Sequence, residues 1–230
     1  LDECRQLILA IDSSQSSGSI ALKSGDRVVY SANFDIKITH SETLMPAIDH
    51  AITFCGAAKK DLEAVYICNG PGSFTGLRIG LATAKGIAFG LNIPLYAFSS
   101  LQLCALPATG LGKNILGCID AKMKEVYFAL YSTDFQELIA PQVISPAELA
   151  KLDMGEFILC GSASPIMEPL LTASGAKFYP MNALLQIPNA AGLFMLGEFF
   201  PAQNTPRNIA DLEPLYLRES TAQIRSKNQA

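Results

Sequence analysis

The sequence predicts a two-lobed α/β protein whose lobes, 1–108 and 109–230, repeat one plan. Three observations predict it. Apolar strand-like runs alternate with helix-period segments along the chain, the pattern of sheets layered with helices. Counted from Asp12, Ala21-Leu22 follows at nine and ten residues, and Ala129-Leu130 follows Asp120 at the same offsets. Each aspartate, preceded by isoleucine, closes an apolar strand-like run. The offset is a weak sign of internal repetition by itself, and the placement of both acids at strand ends strengthens it.

Leu7 to Ile11 is apolar and long enough for a buried strand, and it ends at Asp12, where a serine-rich turn begins. Ser19 to Leu22 resumes strand character, Lys23-Ser24-Gly25-Asp26 turns the chain, and Arg27 to Phe34 completes an antiparallel meander. Thr39-His40-Ser41-Glu42 reads as a capping box, with Thr39 capping and Glu42 reaching back, ahead of Leu44, Met45, Ile48 and Ile52 at helical spacing. That helix runs to the neighbourhood of Gly56. Ala64 to Asn69 is a buried strand, a glycine-spaced segment ending at Gly90 supplies a second helix, and Leu95 to Ser99 is a further strand. A loose stretch, Leu106 to Asn114, leads into the second unit. There Ser145-Pro146-Ala147-Glu148 opens a helix as a capping box with proline at the first helical position. Phe157 to Cys160 is a strand leading to Gly161-Ser162-Ala163, and Ile187-Pro188-Asn189 precedes an apolar helix that reaches the region of Phe200.

Half of the 230 residues are hydrophobic and 17% are charged, ample for a packed core. A net charge of −4 argues against a self-sufficient nucleic-acid binder, because phosphate contacts need clustered lysine and arginine. Any RNA would be held mainly by a partner. The apolar runs break well before the ~18 residues of a membrane span, and no basic region followed by a long apolar one opens the chain. The cysteines, Cys4, Cys55, Cys68, Cys104, Cys118 and Cys160, form no C-x-x-C pair and mostly lie in strand or helix patterns. Reduced core thiols in a cytoplasmic protein are the expected state.

The most specific stretch is Gly70-Pro71-Gly72-Ser73-Phe74-Thr75-Gly76-Leu77-Arg78, which runs directly into Ile79 to Gly90. After a buried strand, Gly70-Pro71-Gly72 permits a turn that bulkier residues forbid, and Ser73 or Thr75 is placed to cap the following helix. The amides of such a turn suit an anion. A Walker loop, however, requires lysine followed by serine or threonine where Leu77 and Arg78 stand. Gly76, Gly80 and Ala84 recur every four residues, and Gly86 and Gly90 repeat that spacing. Each interior glycine costs about 1 kcal/mol against alanine in a helix. Two readings share the segment: a core helix wedged between sheet and neighbours, or a helix with one side on its own sheet and another, together with the Leu44–Ile52 helix, on a second protein chain.

Several of these stretches resemble the TsaB (YeaZ) family, accessory subunits of the bacterial machinery that places threonylcarbamoyl on tRNA adenosine. The resemblance rests on Ile11-Asp12-Ser13-Ser14, His40-Ser41-Glu42-Thr43-Leu44-Met45-Pro46, Gly70 to Gly90, Ser99-Ser100-Leu101, Ile119-Asp120-Ala121-Lys122 through Tyr127, and Pro214-Leu215-Tyr216-Leu217-Arg218. It implies an actin-like, ribonuclease-H-like (ASKHA) fold and a noncatalytic scaffold for the transferase TsaD, with the ATPase TsaE joining the pair. The reaction so supported is threonylcarbamoyl transfer to N6 of the adenosine beside the anticodon, with tRNA reached only through the complex. On this reading the partner surface, or the homodimer surface of the chain alone, holds Leu44, Met45, Ile48, Ile52, Gly76, Ile79, Gly80, Thr83, Ala84 and Ile87. No cofactor is expected on the chain by itself, and ATP or ADP with Mg²⁺ is expected only in the complex.

The competing class is an actin-like enzyme that binds or hydrolyses ATP on its own. Strand-end acids in that fold orient water or Mg²⁺ at phosphates, so Asp12, Ser13, Ser14, Asp120 and Lys122 are its candidate contacts; the alternative is that the acids merely cap turns. Neither turn carries the glycines usual in phosphate loops. His40 and His50 are ten residues apart, so they do not form the one-turn pair that would place two imidazoles on one helix face for a metal. Protease motifs, whether G-x-S-x-G or H-E-x-x-H, are absent.

Overall fold

The computed structural model describes residues 6–34 and 40–217. Strands β1 (Leu7–Asp12), β2 (Gly18–Ser24) and β3 (Arg27–Phe34) form the antiparallel meander, followed by α1 (His40–Phe54), β4 (Leu62–Gly70), α2 (Phe74–Leu91), β5 (Leu95–Ser99) and α3 (Ser100–Ala105). The same order then recurs. It runs β6 (Asn114–Lys122), β7 (Glu125–Tyr131), β8 (Glu137–Ile144), α4 (Pro146–Leu149), β9 (Phe157–Cys160), α5 (Ser164–Ser174), β10 (Phe178–Pro180) and α6 (Gly192–Phe199). The sheets have matching orders, β3-β2-β1-β4-β5 and β8-β7-β6-β9-β10. In each, the first strand pairs antiparallel with the second and parallel with the fourth. The duplicated α/β fold of the actin-like kind is therefore present in connectivity as well as in element order.

Helices cover both sheets. On the outer face of the first sheet, Leu9, Ile11, Ile20 and Ile67 pack with Leu44 and Ile48 of α1 and Leu81, Ala84 and Ala88 of α2. Between the sheets, α3 and α6 contribute Leu101, Leu103, Leu193 and Leu196 to a core that touches Tyr66 and Phe98 on one side and Ile115 and Tyr131 on the other. Beyond the second sheet, Leu149 of α4 and Met167 and Leu171 of α5 close a third cluster with Phe128 and Leu159. Both strand faces are thus buried, which explains why β1, β4 and β6 read as continuous apolar runs without polar alternation.

Local signals account for the element ends. Ser73 caps α2 by accepting from Gly76 N at 3.2 Å, and Asn92, left-handed at φ 53°, closes it. Ser145 caps α4 by accepting from Glu148 N, and its hydroxyl donates to the Glu148 carboxylate at 2.6 Å, which holds that carboxyl below its ordinary range. The cap expected of Thr39 lies outside the described residues, as do Cys4 and Arg218. Cys68, Cys104, Cys118 and Cys160 are buried and carry free thiols. Residues 207–217, which the sequence places in the second unit, return to the first. Arg207 N donates to Leu95 O at 2.7 Å, Leu215 N to Asn69 O at 2.8 Å, and Ile209 and Leu212 pack beside α2. Among the described residues, no helix is long and apolar enough to cross a membrane.

Candidate functional site

The Gly70–Ser73 loop meets the serine turn after β1. Ser73 N donates to Ser14 O at 2.7 Å, and a β-carbon at Gly72 would lie 2.0 Å from that same carbonyl oxygen. Gly72 is therefore required for backbone to touch backbone. One turn into α2, Ser13 Oγ donates to Gly76 O at 2.9 Å. Ser73 N and Ser13 Oγ, two of the groups that the sequence offers to an anion, are spent on this contact between two segments of one chain.

Asp12, Ser13 and Ser14 are accordingly buried, at 1% exposure or less. Asp12 Oδ1 accepts from Ser14 N at 2.9 Å, an Asx turn. The neighbouring Cys68 thiol is pushed well up, first by burial and then by the Asp12 charge. Asp120 makes the equivalent turn, accepting from Lys122 N at 2.8 Å and pairing with Lys122 Nζ at 2.6 Å. A cleft of about 540 Å³ does lie between the lobes. It is lined by Gln15, Ser16 and Ser17 on one side and by residues including Ser162, Ser164, Glu168 and Asn182 on the other. Among the described residues, none of the five candidate phosphate contacts lines it, and neither does any lysine or arginine. Of the five candidate phosphate contacts, Asp12, Ser13 and Ser14 lie buried beneath α2, and Asp120 and Lys122 pair with each other.

Among the described residues, no group of three or more histidine, cysteine or acidic side chains stands ready for a metal. His50 is exposed on α1, with Tyr30 and Phe54 rings at 6.2 and 6.0 Å.

The surface formed by α1 and α2 is the remaining candidate. Gly76, Gly80 and Ala84 do not belong to its exposed part. All three are buried against the chain itself, and a β-carbon at Gly80 would stand 2.0 Å from Ser13 Oγ. Their four-residue ridge serves the intramolecular contact. Gly86 lies on the other side of the helix from Ala84, because a step of two residues rotates about 200° around the axis, and Gly90 follows one turn later. A β-carbon at either would meet nothing within 4 Å. These two glycines border a groove of about 220 Å³ whose walls are Met45, Ile48 and Ile52 of α1, Leu62, and Ile87 and Leu91 of α2. The Asp49–Lys59 pair, 2.9 Å apart, stands at its rim. Leu44 lies beneath in the core, while Ile79 and Thr83 are half-buried along the helix. Met45 is exposed beside the groove, and Phe54 and Phe89 are 71% and 79% exposed on the same two helices.

Sequence reasoning passed over the phenylalanines and a second cluster at the start of α2. There the Arg78 guanidinium lies 3.9 Å from the Phe74 ring centroid and its Nε donates to Tyr216 Oη at 3.0 Å. The phase of Gly86 and Gly90 was a signal available on a helical wheel. No local signal joins Arg78 to Tyr216, which are 138 residues apart.

Comparison with known proteins gives a consistent result. A family model described as "TsaD: tRNA N6-adenosine threonylcarbamoyltransferase" matches residues 35–224. The Haemophilus influenzae protein named "tRNA threonylcarbamoyladenosine biosynthesis protein TsaB" is 30% identical over 229 residues, covering 92% of this chain and 93% of that protein. Its Bacillus subtilis namesake is 30% identical, covering 95% and 96%. The solved structure of YeaZ from Pseudomonas aeruginosa superposes with a TM-score of 0.77 at 27% identity, covering 92% of this chain and all of that one.

Proposed function

This chain belongs to the TsaB (YeaZ) family, and from that premise we propose that it serves threonylcarbamoyladenosine formation on tRNA as a noncatalytic docking subunit, holding the transferase TsaD on the groove between α1 and α2. Its relatives are named as biosynthesis proteins of that modified nucleoside. The observation that carries the reading is the open apolar groove beside Gly86 and Gly90, which no side chain among the described residues fills. Interior glycines weaken a helix, and these two are not explained by packing within the subunit. An absent side chain lets a partner helix approach closely.

The choice of partner is supported by the family match. A model of the transferase describes most of this chain, so the transferase carries counterparts of α1 and α2. Two such helix pairs can pack as near-equivalent faces, and a second copy of this chain offers the same solution when the transferase is absent. Apolar surface of this kind, flanked by Phe54 and Phe89, favours being covered.

The noncatalytic role is supported by the lining of the interlobe cleft. Among the described residues it offers serine hydroxyls and the Glu168 carboxylate, and no cation to neutralise a phosphate. Within this proposal, ATP and Mg²⁺ are held by TsaD and TsaE, and tRNA is reached through the assembly.

The test uses the purified chain with the transferase of the same organism. Gly90→Leu and Gly86→Leu fill the groove margin, and each is expected to weaken the complex roughly 10- to 100-fold with the subunit still folded. The same variants are expected to abolish stimulation of threonylcarbamoyl transfer. Undiminished binding by folded variants refutes the docking site; ATP hydrolysis by the isolated chain refutes the noncatalytic role.

A further inference from the structure

We propose that Arg78, set by Phe74 and Tyr216 and flanked by Lys85, receives an acidic side chain of the protein that seats on the α1/α2 groove. The proposal rests on that reading of the groove and adds the chemistry that fixes the partner's register. Phe74 and Arg78 come from the first turns of α2, while Tyr216 comes from the returning C-terminal segment. Gly70–Gly90 and Tyr216, both singled out in the sequence, thus meet at one exposed cluster.

The three side chains interlock. Arg78 stacks on Phe74 at 3.9 Å, its Nε donates to Tyr216 Oη, and the Tyr216 ring stacks on Phe74 at 5.1 Å. An exposed arginine ordinarily samples many rotamers; this one has lost much of that freedom before any partner arrives. With Nε engaged, the two terminal nitrogens are left as a planar edge suited to a carboxylate. Among the described residues no ion pair involves Arg78. Beside it is a depression of about 320 Å³ with an apolar floor that includes Leu81, Leu212 and Pro214, and with Lys85 and Glu213 at its edge. Apolar walls strengthen a charge contact relative to open water.

Position ties this cluster to the groove. Arg78, Ala82, Gly86 and Phe89 form the exposed stripe of α2. Eight residues separate Arg78 from Gly86, about 12 Å along the axis, a span that one partner helix covers. Arg78 and Lys85 border the depression beside Glu213, and since Lys85 Nζ already donates to Ala210 O at 3.4 Å, Arg78 is the cation offered to a carboxylate. The two do not form the extended basic track that a polyanionic RNA requires.

The test measures transferase binding at low and high salt, with the tRNA affinity of the isolated chain as a separate arm. At low salt Arg78→Gln is expected to weaken the complex about tenfold or more and to flatten its salt dependence; Arg78→Lys restores only part, because lysine lacks the planar fork. The melting temperature of Arg78→Gln is expected to move little. If Gly90→Leu removes binding while Arg78→Gln leaves affinity and salt dependence unchanged, the groove stands and this inference falls. If neither variant weakens binding, both fall. A drop in tRNA affinity with transferase binding intact assigns the cation to phosphate and overturns the proposal. So does a large loss of thermal stability with binding intact, which would make the cluster a clasp for the C-terminal segment.

Discussion

A β-carbon at Gly80 would stand 2.0 Å from Ser13 Oγ and 3.3 Å from Ser13 Cβ, while one at Gly86 would meet nothing within 4 Å. The two residues share a helix and a composition, yet alanine should act oppositely at each. At Gly80 the methyl displaces a hydroxyl that donates to Gly76 O, so a buried hydrogen bond is lost along with the close packing. Gly80→Ala is expected to destabilise by about 1–3 kcal/mol despite the better helix former. Adding Ser13→Ala should recover part of that loss, because the two sites are in contact and their effects do not add. Gly86→Ala should instead stabilise by about 0.5–1 kcal/mol, since nothing opposes the gain in helix propensity. Urea unfolding of the three variants checks all of this. A destabilised Gly86→Ala would mean that the space beside α2 is occupied in the isolated chain.

The hairpin between β6 and β7 shows strain on the scale of an element. Lys122, Met123 and Lys124 have φ of 62°, 52° and 65°, three successive left-handed residues without a glycine. Lys122 pairs with Glu125 across the turn, so Met123 and Lys124 occupy the two central positions where Asn-Gly is strongly preferred. Each costs about 1–2 kcal/mol relative to a residue at ease in that conformation. Asp120 helps to hold the turn by accepting from Lys122 N. Met123→Asn with Lys124→Gly is expected to raise stability by about 1 kcal/mol per site, read as a shift in the denaturation midpoint at unchanged slope. The same hairpin shows what a sequence leaves unmarked. With no glycine or asparagine between Ala121 and Glu125, only the echo of Asp12 by Asp120 located it. Helix α5 was hidden differently: Pro165 and Pro169 lie within it, and prolines so placed read as breaks. The Ser145 box marked the start of α4 correctly, but not that the helix ends at Leu149, after a single turn.

Across the whole molecule, what was legible followed local chemistry, and what was missed depended on distant segments meeting. The meander, the Ser73 cap and the duplicated order could be read from periodicity and turn residues. That Gly72 and Gly80 answer to Ser14 and Ser13, or Arg78 to Tyr216, required the tertiary fold. The packed cores on the two faces of the second sheet have a consequence of the same kind. Cys68, Cys104, Cys118 and Cys160, scattered in sequence, are all buried, and burial raises all four thiols, Cys104 to about 12 from an ordinary 9.0. Below the unfolded value both states keep these protons, and stability is unaffected. Above it the unfolded chain releases protons that the folded chain retains, so stability falls as pH rises toward the folded values. Each thiol contributes a slope of about 1.4 kcal/mol per pH unit, so four together remove about 5 kcal/mol across one unit. That rivals the whole stability of an ordinary domain, about 5–15 kcal/mol. The melting temperature should therefore stay level to about pH 8.5 and fall steeply by pH 10.5, with a shallower fall in Cys104→Ala. A melting temperature that holds level through pH 10.5 would show that the thiols ionise as readily in the folded chain as in the unfolded one.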